Sequence, residues 1–484
     1  MLIIGSIISA TGQSIPQMIA GGAIFGAGSG FLEMSFGAVQ VSSHRWIRIL
    51  RALDSQPQEI VPNEWRMATI GIFDASSVIA QIMPLVAWVM IKNTHTWRNA
   101  YYLMIAFQTI NLIFLVLFYH PPAFKTKHAA DGKTKTQLFK EFDWIGLFLF
   151  VAGCLLFIIG INWGGSIYPW KSAATIAPIV IGFCLWIALA IYERLPHLKE
   201  PLFPPRLFNQ VRQFTMPMVC MAITGMQYYS NATLWTRLSQ LLYASDEISK
   251  GLYAEVLPLG SILGGICIMF SKKIGHQRWQ IFGAIALQTA CVGAMSTSSL
   301  DNPAKAIILT FFISLCTSLV ILNSLVLIGF GIVHQEDIGT AAGLAGTARL
   351  LAGGVATAIF SNVTNNKYAE SLPGAVRSNV AKFNLPAAGL AKLIVAAKAG
   401  TAAAYKAVPG ITPQIQAAAV LGNKQAYLQG AHLSYEVALA FGLCGCIAAL
   451  FISSIDSRKY TKKTVALQEA DRKALQDQKL APPA

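Results

Sequence analysis

Ile145-Gly146-Leu147-Phe148-Leu149-Phe150-Val151 opens a run to Trp163 that carries no charge and does not alternate apolar with polar residues. A hydrocarbon slab of about 30 Å is crossed by about twenty apolar residues in a helix. Strands of a membrane barrel alternate lipid-facing and lumen-facing side chains, and this run does not. Backbone amides in lipid must be satisfied inside a helix or a closed barrel, so the run reads as a membrane-spanning helix. Similar stretches recur at 1–13 (short), 17–40, 67–91, 99–119, 143–162, 174–193, 213–241, 251–271, 279–298, 305–331, 338–361 and 434–455. The predicted fold class is all-α: a polytopic membrane protein with roughly 12 apolar segments.

Composition agrees. Of 484 residues, 54% are hydrophobic and 12% charged, and the mean hydropathy is +0.53. Soluble domains carry about 25% charged residues. The net charge of +15 is no nucleic-acid signature, because the basic residues gather in particular loops. Arg45, Arg48 and Arg51 share one, Lys125, Lys127, Lys133 and Lys135 another, and Lys272 and Lys273 a third. That is the pattern of the positive-inside rule. If 41–66 is cytoplasmic, alternation puts 120–142, 194–212, 272–278, 332–337 and the tail 456–484 on the same side. All but 332–337 are basic, and the opposite loops carry few positive charges. The segment 362–433 reads as a long extracellular loop, with an Ala-rich surface helix over 386–420. Its many lysines do not overturn the assignment, since long loops translocate regardless of charge. Asn362-Val363-Thr364 is an acceptor pattern for N-glycosylation.

All eight cysteines fall inside apolar segments, away from most of the histidines, so neither a disulfide framework nor a metal site is expected. No basic n-region precedes the first apolar segment, so no cleavable signal is read. A phosphate-cradling G-x-x-x-x-G-K-[ST] loop is absent, as are Gly-x-Ser-x-Gly and His-Glu-x-x-His. No enzyme and no cofactor is expected.

Several stretches carry a family likeness: Glu59-Ile-Val-Pro-Asn-Glu-Trp-Arg66, Trp97-Arg98 with Tyr101-Tyr102, and Phe118-Tyr119-His120-Pro121-Pro122-Ala123-Phe124. To these add Phe142-Asp143-Trp144, Trp163-Gly164-Gly165 with Tyr168-Pro169-Trp170, and Ile338-Gly339-Thr340-Ala341-Ala342-Gly343. Together they resemble the fungal trichothecene efflux pumps, a fourteen-helix branch of the major facilitator superfamily close to the siderophore transporters. The resemblance implies a remnant of the N-terminal bundle at 1–119, a cytoplasmic loop at 120–142 and two linking helices at 143–193. A C-terminal six-helix bundle at 213–455, with the extracellular loop 362–433, and a cytoplasmic tail at 456–484 complete it. The family's first two helices have no counterpart, Gln40 to Gln58 reads as an insertion, and only Met83-Pro84 stands where the family has Gly-Pro. The implied function is proton-coupled export of a small organic toxin or drug-like compound by a monomer in the plasma membrane. Uptake of ferric siderophores by proton symport is one alternative, and a truncated, non-transporting remnant is another.

Ionisable residues within a bilayer are costly and tend to face a cavity or a partner. Glu33 and Asp74 are the candidates for carrying protons, because a low-dielectric environment disfavours a fixed charge. Arg237 and Glu255 are expected to pair, and Arg349 lies near the middle of 338–361. Gln227, Tyr228, Tyr229 and Asn231, followed by Trp235, form the most polar and aromatic stretch in any segment. They are the candidate substrate pathway, with Asn323 beside Ser324 as a lesser one. Gly22, Gly26 and Gly30, like Gly339 and Gly343, repeat at four-residue spacing and are expected to bring helices close together.

Overall fold

The computed structural model describes residues 1–41, 65–118, 134–165, 167–195, 201–332, 335–383 and 387–453, with the side chains of 32–41 excluded. Each apolar segment becomes helix. In chain order these are α1 (Leu2–Ala10), α2 (Ile15–Val41), α3 (Arg66–Ala75), α4 (Met83–Thr94), α5 (Arg98–Phe118), α6 (Trp144–Trp163) and α7 (Ala173–Tyr192). They are followed by α8 (Met216–Leu238), α9 (Val256–Ile274), α10 (Gln277–Ala294), α11 (Pro303–Gly331), α12 (Gln335–Val380), α13 (Ala387–Ala399) and α14 (Pro413–Leu450). No named strand occurs among the described residues.

The helix ends follow local chemistry. Asp143 accepts a 2.7 Å hydrogen bond from Gly146 N and so satisfies one of the orphan amides that open α6. Ser172, Asn302 and Thr412 do the same for α7, α11 and α14. Gly165, at φ +73, lets the chain turn between α6 and α7.

Seven described helices are long and apolar enough to cross a membrane, and the pair Met67–Ala75 with Val78–Thr94, bent by 40°, raises the number to eight. Helices α8 and α10 fall short because they carry polar side chains inward, Gln227 and Asn231 on one and Gln288 and Thr289 on the other, all buried. Helix α5 is at the opposite extreme, with none of its apolar span buried.

Helices α8 to α12 and α14 pack on one another as the C-terminal bundle. The N-terminal elements join it at several seams, one of them α4 against the short helix Glu247–Ala254. Helix α3 crosses α9, where an added Cβ at Gly71 would lie 2.8 Å from Gly265 O, and α2 lies along α12. Close approach also explains the α1–α2 pair, since a Cβ at Gly5 would sit 2.6 Å from Phe25 N. The α6–α7 hairpin uses Gly160 and Gly182 in the same way. The glycines picked out by spacing show no such close approach among the described residues. An added Cβ at Gly22, Gly26, Gly30, Gly339 or Gly343 meets nothing within 4 Å among the described residues.

The segment 362–433 differs most from expectation. Helix α12 runs 46 residues to Val380, α14 begins at Pro413, and α13 with the short helix Ala402–Lys406 fills the space between. Leu372, Val376, Val380, Leu393, Ala397, Tyr405 and Ile415 form a core of their own there. The loop of the sequence reading is thus a folded helical cap. Hydropathy falls at Asn362, but the small residues beyond it still allow close packing: a Cβ at Gly430 would lie 2.6 Å from Thr364 O.

Candidate functional site

A cavity of about 240 Å³ opens where α3 meets the C-terminal bundle. Asp74 enters from α3, Tyr228 and Tyr229 from α8, Ser261 from α9, Thr317 and Ser318 from α11, and Arg349 from α12. Apolar walls come from Met221, Ile321, Leu322 and Leu325. The two tyrosine rings stand edge to face, with centroids 5.3 Å apart. The Arg349 guanidinium lies over the Tyr229 ring, 6.0 Å from its centroid, at the outer limit for a cation–π contact. Asp74 on α3 and Arg349 on α12 thus line one cavity together with the aromatic wall of α8. Oδ2 of Asp74 is buried and has no hydrogen-bond partner among the described residues. Ser261 and Ser318 share a 2.7 Å hydrogen bond across α9 and α11.

The structure therefore brings together Asp74, Tyr228, Tyr229 and Arg349. The other expected pathway residues face elsewhere. Gln227, Asn231 and Trp235 repeat every four residues and share one face of α8. Gln227 Nε2 donates to Thr289 Oγ1 at 3.3 Å, Asn231 Oδ1 accepts from the Tyr435 hydroxyl at 3.1 Å, and Trp235 Nε1 donates to Tyr253 O at 2.8 Å. All three are buried in bundle packing. Asn323 is also a packing residue, accepting from Ser271 Oγ at 2.7 Å.

Arg237 and Glu255 make no ion pair among the described residues. Glu255, 7% exposed, accepts from Leu85 N at 2.8 Å, and Arg237 is exposed beside the Tyr427 hydroxyl. The physical reason is the helix interruption at Ile82, between the short helix Val78–Gln81 and α4, which leaves amides of the first turn of α4 in need of an acceptor. Asn362 is 6% exposed, and its Nδ2 donates to Ile161 O at 2.6 Å. The amide a glycan would need is engaged between helices, which corrects the acceptor reading. Glu33 lies outside the described side chains. The sequence reading missed Ser261, Thr317 and Ser318, because hydroxyls scattered through apolar segments carry no distinguishing pattern.

Residues 58–482 match the family model described as the fungal trichothecene efflux pump. The chain belongs to this family. It is 29% identical over 391 residues to the trichothecene efflux pump TRI12 of Fusarium sporotrichioides, covering 78% of this chain and 63% of that one. It is 28% identical over 469 residues to the MFS-type transporter prx5 of Penicillium rubens, covering 96% and 81%. The TRI12 pump of Trichoderma arundinaceum matches at 26% over 59% of this chain and 47% of its own. The chain thus spans less than two thirds of either trichothecene pump. A bacterial homologue of the human lysosomal transporter Spinster aligns over 94% of this chain and 98% of its own, at 14% identity and a TM-score of 0.37. The family match, and not this last likeness, carries the assignment of an all-α membrane transporter.

Proposed function

We propose that this family member is a proton-coupled secondary exporter of a small organic, toxin- or drug-like compound. It would work as a monomer in the plasma membrane, with its basic loops facing the cytoplasm. The single observation that supports this reading is that Asp74 of α3 and Arg349 of α12 line one cavity. When Asp74 is charged, its attraction to Arg349 favours the arrangement in which both line this cavity. Protonation removes that attraction and frees the halves to rock about the site, the motion expected of transporters built from two helical bundles. Tyr228 and Tyr229 offer flat apolar faces to the ring system of a substrate, and Ser261, Thr317 and Ser318 offer hydroxyls to its oxygens. Relatives whose names describe efflux pumps favour export over siderophore uptake.

The test uses inverted vesicles that take up a trichothecene probe from the bath under an imposed pH gradient, acid inside. Asp74→Asn should lower gradient-driven movement at least tenfold while sparing exchange between labelled and unlabelled probe. Arg349→Gln should impair both. Gradient-driven movement unchanged in Asp74→Asn would overturn the coupling role.

A further inference from the structure

Glycines usually explain how closely two helices approach, but three of them here sit directly beneath the side chains of the cavity. An added Cβ at Gly225 of α8 would lie 2.7 Å from Arg349 Cγ and 2.8 Å from Arg349 O. Four residues on, Tyr229 lays its ring over Gly353 of α12, where an added Cβ would overlap Cδ2 and come within 2.9 Å of Cγ. The arrangement is reciprocal. Each helix offers a notch to the functional side chain of the other, one turn apart, so the guanidinium and the ring are set at one level. Asp74 is seated in the same manner, because a Cβ at Gly265 of α9 would overlap its Oδ2 and lie 3.2 Å from its Cγ. Real Cβ atoms do not occupy such distances, so any larger residue forces the neighbour to move. Tyr229 lines the cavity, with Tyr228 edge-on beside it and Arg349 over its ring, so a ring pushed off Gly353 shifts the cavity wall that these side chains form.

We propose that Gly353 is a specificity-determining residue: the depth of its notch sets how far the Tyr229 ring projects into the cavity, and so the girth of compound admitted. Gly225 and Gly265 are its companions as positioning residues, for Arg349 and Asp74. The inference rests on the reading of this cavity as the transport route. It differs from helix packing in general, since the glycines with the regular spacing, Gly339 and Gly343, meet nothing within 4 Å among the described residues.

The test measures girth without transport. Ser318→Cys, in a full chain whose eight native cysteines are replaced, is treated in membranes with methyl methanethiosulfonate and with a bulky benzophenone-bearing analogue. Gly353→Ala should lower the rate ratio of bulky to small reagent at least tenfold. Adding Tyr229→Leu should restore the ratio, and Tyr229→Leu alone should raise it above that of the parent. Efflux of neutral coumarin dyes of increasing alkyl length should follow the same order. An unchanged ratio in Gly353→Ala, or equal slowing of both reagents, overturns the inference. Should Gly353→Ala fail to reach the membrane, Tyr229→Leu alone decides, and a ratio equal to the parent's overturns it. A parent chain that exports none of the dyes defeats the transport reading, while the reagent ratio still judges the glycine.

Discussion

Glu255 shows how a carboxylate can be held at a helix junction without a cation. Its Oε1 takes the amide of Leu85 in the first turn of α4, where the helix interruption at Ile82 leaves that amide without a helical acceptor. Glu255→Gln keeps an acceptor oxygen and should be tolerated. Glu255→Ala leaves a part-buried amide without its acceptor and should cost about 1 kcal/mol, read from denaturation in detergent. Equal stability of the two variants would refute the capping role. At Asn362 the expectation is also sharp. Endoglycosidase treatment should leave the mobility of the chain unchanged, and Asn362→Ala should cost about 1 kcal/mol through the lost bond to Ile161 O. Asp74 and Arg349 were each legible as charges within apolar segments. Their convergence was not, because it depends on how α3 crosses the bundle, and no local pattern encodes that crossing.

Helices were legible wherever lipid imposes a length. The apolar segments announced α6, α7 and α11 because unpaired amides are excluded from hydrocarbon. Their true ends were not legible. Hydropathy drops at Asn362 and again before Ser434, whereas the helical hydrogen bonds of α12 and α14 continue through those polar stretches. The cap so formed has its own core, which gives it a separate test. Leu393→Ala, at a fully buried position of α13, should cost about 2–5 kcal/mol. Limited proteolysis should then cut between Val380 and Pro413 at lower protease concentration, with the α6–α7 hairpin unaffected. Unchanged proteolysis would mean that the cap is not a packed unit. The face of α8 was misread for a related reason. Its polar cluster was visible in sequence, but only packing separates Tyr229, which lines the cavity, from Gln227 and Asn231, which bond to α10 and α14.

For the whole molecule, the charge pattern makes one prediction about sides. Lys140 and Lys273, which the alternation of loops puts on one side, are exposed, and so is Lys398 on α13 in the cap. An impermeant amine reagent applied to intact cells should label Lys398 and reach the other two only after permeabilisation. Labelling of all three from outside would invert or break the topology. The fold class followed from composition and loop charge, since lipid constrains both strongly, while the seams at α3–α9 and α2–α12 rest on shape alone. The length of α12 has a mechanical corollary. At 1.5 Å per residue its contour is about 69 Å, roughly twice the hydrocarbon thickness. A tilt of about 10° at its midpoint would sweep the tip through about 6 Å. A spin label near Val380 would therefore act as the far end of a pointer, magnifying rearrangements around Arg349 into displacements that distance spectroscopy resolves.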